Sequence, residues 1–262
     1  MRAKSAITMV VCLALVAMTV ATVAAQQEFN RYAEFRYTSA LPGGGFGVTP
    51  DGVPGFDGAM QLNVPVAYTP HRGAVLGYSS ASFDSSFKFD TEGSEINGTG
   101  IIGIGIGKPG YGMFLVEMPT SKEWEPAQSI QQQIMPETDK QPAVAVGMQD
   151  IFENRDEGIG QPHNTDSPYI VATKQWDGAG QPVFLTLGYG KGRFDASFFG
   201  GVCWRAMDRL TVSAEFDGFN PNASIAYDLS DVLVDDTMLY AGMVNLDRAV
   251  IGMTYVYSDL EL

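Results

Sequence analysis

The chain has 262 residues and a formal net charge of −14. That acidic balance excludes a nucleic-acid partner, whose phosphates require clustered Lys and Arg. With only two histidines and two cysteines, a three-histidine or Cys/His metal centre is also excluded, and no cofactor is expected.

Residues 1–25 read as a secretory signal peptide. Arg2 and Lys4 supply a positive start, 7–20 is almost wholly apolar, and Val23, Ala24 and Ala25 offer small side chains before Gln26. Cleavage there leaves Cys203 as the one remaining cysteine, which cannot form an internal disulfide. No later stretch approaches the roughly 18 continuous apolar residues of a spanning helix. Residues 26–57 form an N-terminal arm and a Gly-rich loop, with 28–38 as either a first strand or an irregular segment. The loop is marked by Gly43, Gly44, Gly45, Gly47, Gly52 and Gly55 together with Pro50 and Pro54.

From 58 onward, which is taken as a barrel domain over 58–262, short alternating segments recur between turn residues. In 58–68, Met60, Leu62, Val64, Val66 and Tyr68 share one parity. In 209–217, Leu210, Val212, Ala214 and Phe216 alternate with Thr211, Ser213, Glu215 and Asp217. A period of two places each set on one face of a strand. Strands are predicted at 58–69, 74–83, 99–108, 111–118, 142–149, 168–176, 182–190, 194–204, 209–217, 221–228, 237–245 and 248–257. Most of the turns between them are tight, which gives an up-and-down antiparallel meander.

Three connections are long: 84–98, 119–141 and 150–167. Long loops belong on one rim of a membrane barrel and short turns on the other. The connection at 150–167 falls where parity requires a short turn, which signals an uncounted strand or a misjudged loop. The expected count is therefore about twelve, with fourteen as the alternative. Residues 121–135 fit a short loop helix, with Pro126 in its first turn and Ala127, Ile130 and Ile134 on one face. A plain loop fits them equally well.

The run 98–110 has the glycine density of a phosphate loop, but no helix pattern follows it, as a phosphate cradle requires. The better reading is a strand with Ile102, Ile104 and Ile106 outward and Gly103, Gly105 and Gly107 inward, where glycine leaves room for a plug, a neighbour or water. His71 lies in a tight turn. His163, on a long loop, is the one histidine suited to a hydrolase, yet no G-x-S-x-G accompanies it. Glu215 and Asp217 share a strand face and point the same way rather than flanking a substrate. Together with Thr186, Gly188, Thr211, Ser213 and Asn222 they are lumen-lining candidates, and no catalytic residue is assigned. Tyr68, Tyr78, Phe114, Tyr169, Trp176, Tyr189, Trp204, Phe216, Tyr227, Tyr240, Tyr255 and Tyr257 mostly fall near strand ends, as aromatic girdles at two membrane interfaces would.

The phrases Pro142–Ile151, Tyr169–Lys174, Leu185–Phe194, Phe199–Val202, Leu210–Gly218 and Asn220–Asn222 follow an order that resembles the YjbH-like outer-membrane barrel proteins associated with exopolysaccharide production. The resemblance spans roughly residues 140–257 and carries over no active-site residue. It implies an outer-membrane barrel linked to polysaccharide secretion, with polysaccharide or export machinery as partners. The expectation is an all-β, up-and-down antiparallel transmembrane β-barrel in the bacterial outer membrane, in contact with its lipid, structural or transport-linked and not an enzyme. Its lumen can be open or filled by its own side chains or loops. Two other readings stay open. One is a soluble secreted β-sandwich that binds carbohydrate or protein, with Leu210, Val212, Ala214 and Phe216 facing a core. The other is a barrel-embedded lipid or sugar hydrolase that uses His163.

Overall fold

The computed structural model describes residues 39–81, 99–119, 126–152, 166–177, 180–218, 220–233, 236–246 and 248–260. The expectations for 1–25, for 28–38 and for His163 lie outside the described residues.

A two-stranded ribbon pairs β1 (Gly47–Val48) with β2 (Pro54–Gly55). Twelve strands then build a wall. They are β3 (Ala74–Ala81), β4 (Thr99–Ile106), β5 (Met113–Pro119), β6 (Pro126–Met135), β7 (Ala143–Gln149), β8 (Ser167–Trp176), β9 (Val183–Gly190), β10 (Ser197–Met207), β11 (Leu210–Phe216), β12 (Pro221–Asp228), β13 (Thr237–Val244) and β14 (Arg248–Tyr257). Each pairs antiparallel with its neighbours in the chain. The ring closes where β14 meets β3, with Val250 opposite Ala81 and Tyr257 opposite Ala74. Closure leaves no strand edge unpaired. The twelve strands form one sheet closed on itself rather than two sheets packed face to face, so the sandwich reading is excluded.

The count of twelve matches the expectation, but its membership does not. Residues 58–69 are not in the wall, and the residues expected as helix or loop at 126–135 are strand β6. The reason is local chemistry. Gln131, Gln132 and Gln133 are consecutive, so β6 is polar on both faces near its middle and has no alternation to read, while Ala127, Ile130 and Ile134 imitate a helical face. Inserting β6 repairs the parity of the connections. The two longest, 82–98 and 150–166, now share one rim, here the long-loop rim. Gly73, the start of β3 and the end of β14 mark the opposite, terminal rim.

The outward parity is predominantly apolar, with polar interruptions at Gln132 on β6 and Glu117 on β5. Every wall strand carries at least one exposed large apolar side chain, among them Leu76 on β3, Ile102 on β4, Leu187 on β9, Ile225 on β12 and Ile251 on β14. Among the described residues nothing packs over them. The inward parity mixes small, polar and aromatic residues with aliphatic ones such as Ile101, Met118 and Met238, and is buried although it faces a lumen.

What buries it is the chain's own N-terminal part. Residues 39–48 and 58–70 are all buried, and they touch strands on every side of the ring. From Ser39, whose carbonyl accepts from Gln149 Nε2 at the long-loop end of β7 (2.7 Å), the chain descends past Gly45, whose carbonyl accepts from Thr254 Oγ1 (2.8 Å). It turns at the terminal rim through β1 and β2. It then ascends past Met60, whose N–H donates to Cys203 Sγ (3.3 Å), to Leu62–Val64 beside Glu215. Finally it descends past Ala67, whose N–H donates to Thr173 Oγ1 (2.8 Å), to Thr69, whose N–H donates to Gln133 Oε1 (3.0 Å), and enters β3. The lumen is thus filled by three passes of one segment.

This accounts for the polar inward parity. Apart from the short ribbon and a few bridges, the segment has no ladder to satisfy its backbone, and a buried N–H or C=O without a partner is costly. Glutamine, threonine and carboxylate side chains from the wall supply those partners. Inward glycines meet a second need. A Cβ at Gly103, Gly147, Gly188 or Gly252 would overlap the ring of Phe114, Tyr169, Phe199 or Tyr240 respectively, each on the neighbouring strand. Wall glycines therefore seat aromatic rings that then pack on the segment, as Phe114 does on Phe46 (5.6 Å between centroids).

The aromatic girdle expectation needs correction at four residues. Phe114, Tyr169 and Tyr240 point into the lumen, and Tyr68 belongs to the filling segment. Tyr78, Tyr189, Trp204, Tyr227 and Tyr257 are exposed on the outer face.

Candidate functional site

The last pass of the filling segment is held by a carboxylate at each end. At the long-loop end, the N–H groups of Leu62 and Asn63 donate to Glu215 Oε2 (2.9 Å) and Oε1 (2.6 Å), and that of Val64 to Oε2 (3.4 Å). Asn222 Nδ2 donates to Glu215 Oε1 (3.0 Å) and to Asp217 Oδ2 (2.9 Å), which fixes the two carboxylates side by side. Arg193, in a 3-10 turn (Gly192–Phe194) between β9 and β10, donates from its guanidinium to the Asn63 carbonyl. One turn of backbone is thus gripped by an anion on its N–H groups and by a cation on its C=O, both charge-assisted bonds. Burial pushes the Arg193 guanidinium down to about 10, against the pull of Asp217, Tyr169 and Glu215, so it remains a cation at neutral pH.

At the terminal end, Tyr68 donates its hydroxyl to Glu137. Glu137 also accepts from Lys174 Nζ (2.7 Å) and from the backbone N–H of Gln175 (3.0 Å to Oε2). Tyr68 packs edge-on against Phe184 at 6.1 Å. Tyr68→Phe keeps that contact and removes one bond to a carboxylate whose other donors remain. It is expected to cost about 1 kcal/mol, read as an earlier urea midpoint in detergent. Beside Glu137 lies an open cleft of about 570 Å³ at the terminal rim, lined by Asp51, Asp139, Lys174, Trp176 and Asp177 among others.

The lumen-lining candidates are placed as follows. Thr211, Ser213, Glu215 and Asp217 are buried along β11 and Asn222 on β12. Ser213 and Ser224 hydroxyls lie 2.6 Å apart, and those of Thr173 and Thr186 3.0 Å apart. Gly188 seats the Phe199 ring. Of these residues, Glu215 bonds the segment's backbone directly. Sequence reasoning left out Arg193, Gln131, Gln133, Gln149, Thr173 and Glu137. A run of three glutamines in a segment of strand length was the signal that could have found Gln131 and Gln133. His71 sits at the terminal rim, with its N–H donated to the Gly52 carbonyl (3.0 Å). Among the described residues no group of three His, Cys, Asp or Glu could hold a metal ion.

Fold and site together define a closed twelve-stranded antiparallel barrel whose lumen is occupied by its own N-terminal segment. Among solved structures the chain is similar to the Acinetobacter baumannii outer membrane protein Omp33, at 9% identity and a TM-score of 0.40, with 71% of this chain and 98% of that chain covered. No family model and no curated protein matches the chain.

Proposed function

We propose that the protein is an outer-membrane β-barrel, held closed at rest by its 39–73 segment, with a structural or transport-linked role in the cell envelope. One observation carries the reading. Each of the twelve wall strands exposes at least one large apolar side chain on its outer face, which no described residue covers, while the inner face is buried by the chain's own segment. A soluble barrel with a filled interior has no use for such a belt, and exposed apolar surface on that scale marks a membrane or partner interface. Lipid also demands the ring closure seen here, because it cannot satisfy an open edge. The exopolysaccharide setting rests on the YjbH-like phrases of the sequence alone, and loss of secreted polysaccharide in a deletion strain is its test.

For the membrane reading, the expected result is recovery in the outer-membrane fraction and a gel mobility in SDS that changes only on heating. Monodisperse behaviour in plain buffer would overturn it.

A further inference from the structure

From the path of residues 39–73 we infer that the barrel is an anchor threaded by its own chain. The polypeptide that precedes Ser39 is held outside the long-loop mouth, on the opposite side from the C-terminal end of the wall, and is displayed at the cell surface. That the two ends leave by opposite mouths is a property of the fold. That the long-loop mouth is the cell exterior rests on the membrane reading.

The number of crossings decides the sides. Twelve antiparallel strands are an even number, so the wall by itself returns the chain to the rim where it starts. Gly73, just before β3, indeed donates its N–H to the carbonyl of Leu260, shortly after β14 (2.8 Å). Residues 39–69 add three further passes inside the ring, and three is odd. Ser39 therefore lies at the other mouth, where its carbonyl meets Gln149, the last residue of β7. The chain runs from Ser39 into the lumen, so what precedes Ser39 arrives from the long-loop side.

The threaded segment is fixed in place. Its passes are tied to one another by backbone: the N–H of Ser39 donates to Leu62 (3.1 Å), that of Gln61 to Gly43 (2.8 Å) and that of Val66 to Pro42 (2.8 Å), while Val48 and Ala59 exchange both bonds. The wall holds each pass in turn, through Gln149 and Thr254 on the first, Glu215 on the second, and Thr173 and Gln131 on the third. Buried backbone groups with such partners are not given up cheaply. The surrounding ring is closed and offers no edge through which an inner pass could slip sideways. Closure of β14 on β3 thus locks the chain on both sides of the wall.

Long loops face the cell exterior in outer-membrane barrels and short turns face the periplasm. The filled lumen then serves as a tether for the chain that emerges at Ser39. Of the structural and transport-linked roles proposed above, this selects the structural one.

The test places one short epitope at three positions: between Gln27 and Glu28, between Glu157 and Gly158 in a long connection, and between Leu233 and Val234 in a terminal-rim connection. Antibody binding is read on intact cells and again after the outer membrane is permeabilised. The first two epitopes should be bound on intact cells, and the third only after permeabilisation. An epitope at 27 that behaves like the one at 233 would overturn the inference. A second measurement puts a photo-reactive phenylalanine analogue in place of Thr38 in the purified protein. Cross-links to 150–166 are expected, and cross-links to 107–112, 136–142 or 229–236 would overturn the threading. Cross-links are read in detergent or buffer alike, so they judge the opposite-mouth arrangement by itself. If they form as expected in a protein that fractionation finds outside the outer membrane, the membrane reading and the surface display fall together and the threading stands.

Discussion

Gly188→Val is expected to keep most of the protein from reaching its heat-modifiable folded form, and to shift the urea midpoint of any folded remainder strongly downward. Gly188 on β9 lies directly opposite Phe199 on β10. A side chain there would overlap the Phe199 ring and would also press on the Ile170 carbonyl of β8. The ring has nowhere to go. It stacks on Phe194 with centroids 4.3 Å apart and meets Tyr169 edge-on at 6.2 Å, and Tyr169 is itself bonded to Gln131 (2.7 Å). Overpacking a filled core costs about 1–3 kcal/mol and more where no neighbour can shift. Here the obstruction includes backbone, so the upper end applies. The pairing gives a second, sharper expectation: Phe199→Ala, harmful alone because it leaves a cavity, should restore part of the folded yield lost to Gly188→Val. Contacting residues couple in this way, whereas simple addition of the two losses would mean that ring and glycine do not share one space.

That glycine also shows what the sequence discloses and what it hides. The alternation Leu210, Val212, Ala214, Phe216 against Thr211, Ser213, Glu215, Asp217 is legible because a strand between an apolar medium and a polar interior imposes a period of two. The Ile102–Gly103–Ile104–Gly105 pattern is legible for the same reason. In 60–68 the identical period misleads. Met60, Leu62, Val64, Val66 and Tyr68 alternate with Gln61, Asn63, Pro65 and Ala67, yet every one of these residues is buried. An extended segment inside a barrel meets walls on all sides, apolar rings on one and glutamines on another, so it carries a strand's signature without pairing as one.

The reverse holds for β6. Its inward Gln131 and Gln133 bond the segment. Its outward Gln132 donates to the carbonyls of Tyr111 and Gly112. Both faces are therefore polar, and the strand is invisible to hydrophobic alternation. Polarity at Glu215 or Thr173 is compatible with a wet channel and with a peptide-filled one alike, because the backbone of a plug and the water of a pore ask for the same donors and acceptors. Only the fold shows which is present.

The outer face yields the other large expectation. Leu187→Arg, in the middle of β9, should cost about 2–4 kcal/mol of folding in a bilayer, the price of a cation at the midplane of a membrane barrel. Ile225→Arg on β12 should behave alike. Leu187 is 61% exposed and Ile225 52% exposed, and neither faces the filled lumen. In water such sites tolerate arginine within about 0.5 kcal/mol, since no contact is lost and the charge stays hydrated. The two solvents thus predict different outcomes for one substitution. Measured in lipid vesicles, a loss that fades as the substituted position moves along the outward face towards either rim would trace the thickness of the apolar belt. A flat, near-zero response at Leu187, Ile225 and the rim positions alike would mean that the medium against this wall is water, and that the exposed ring of aliphatic side chains answers to something other than lipid.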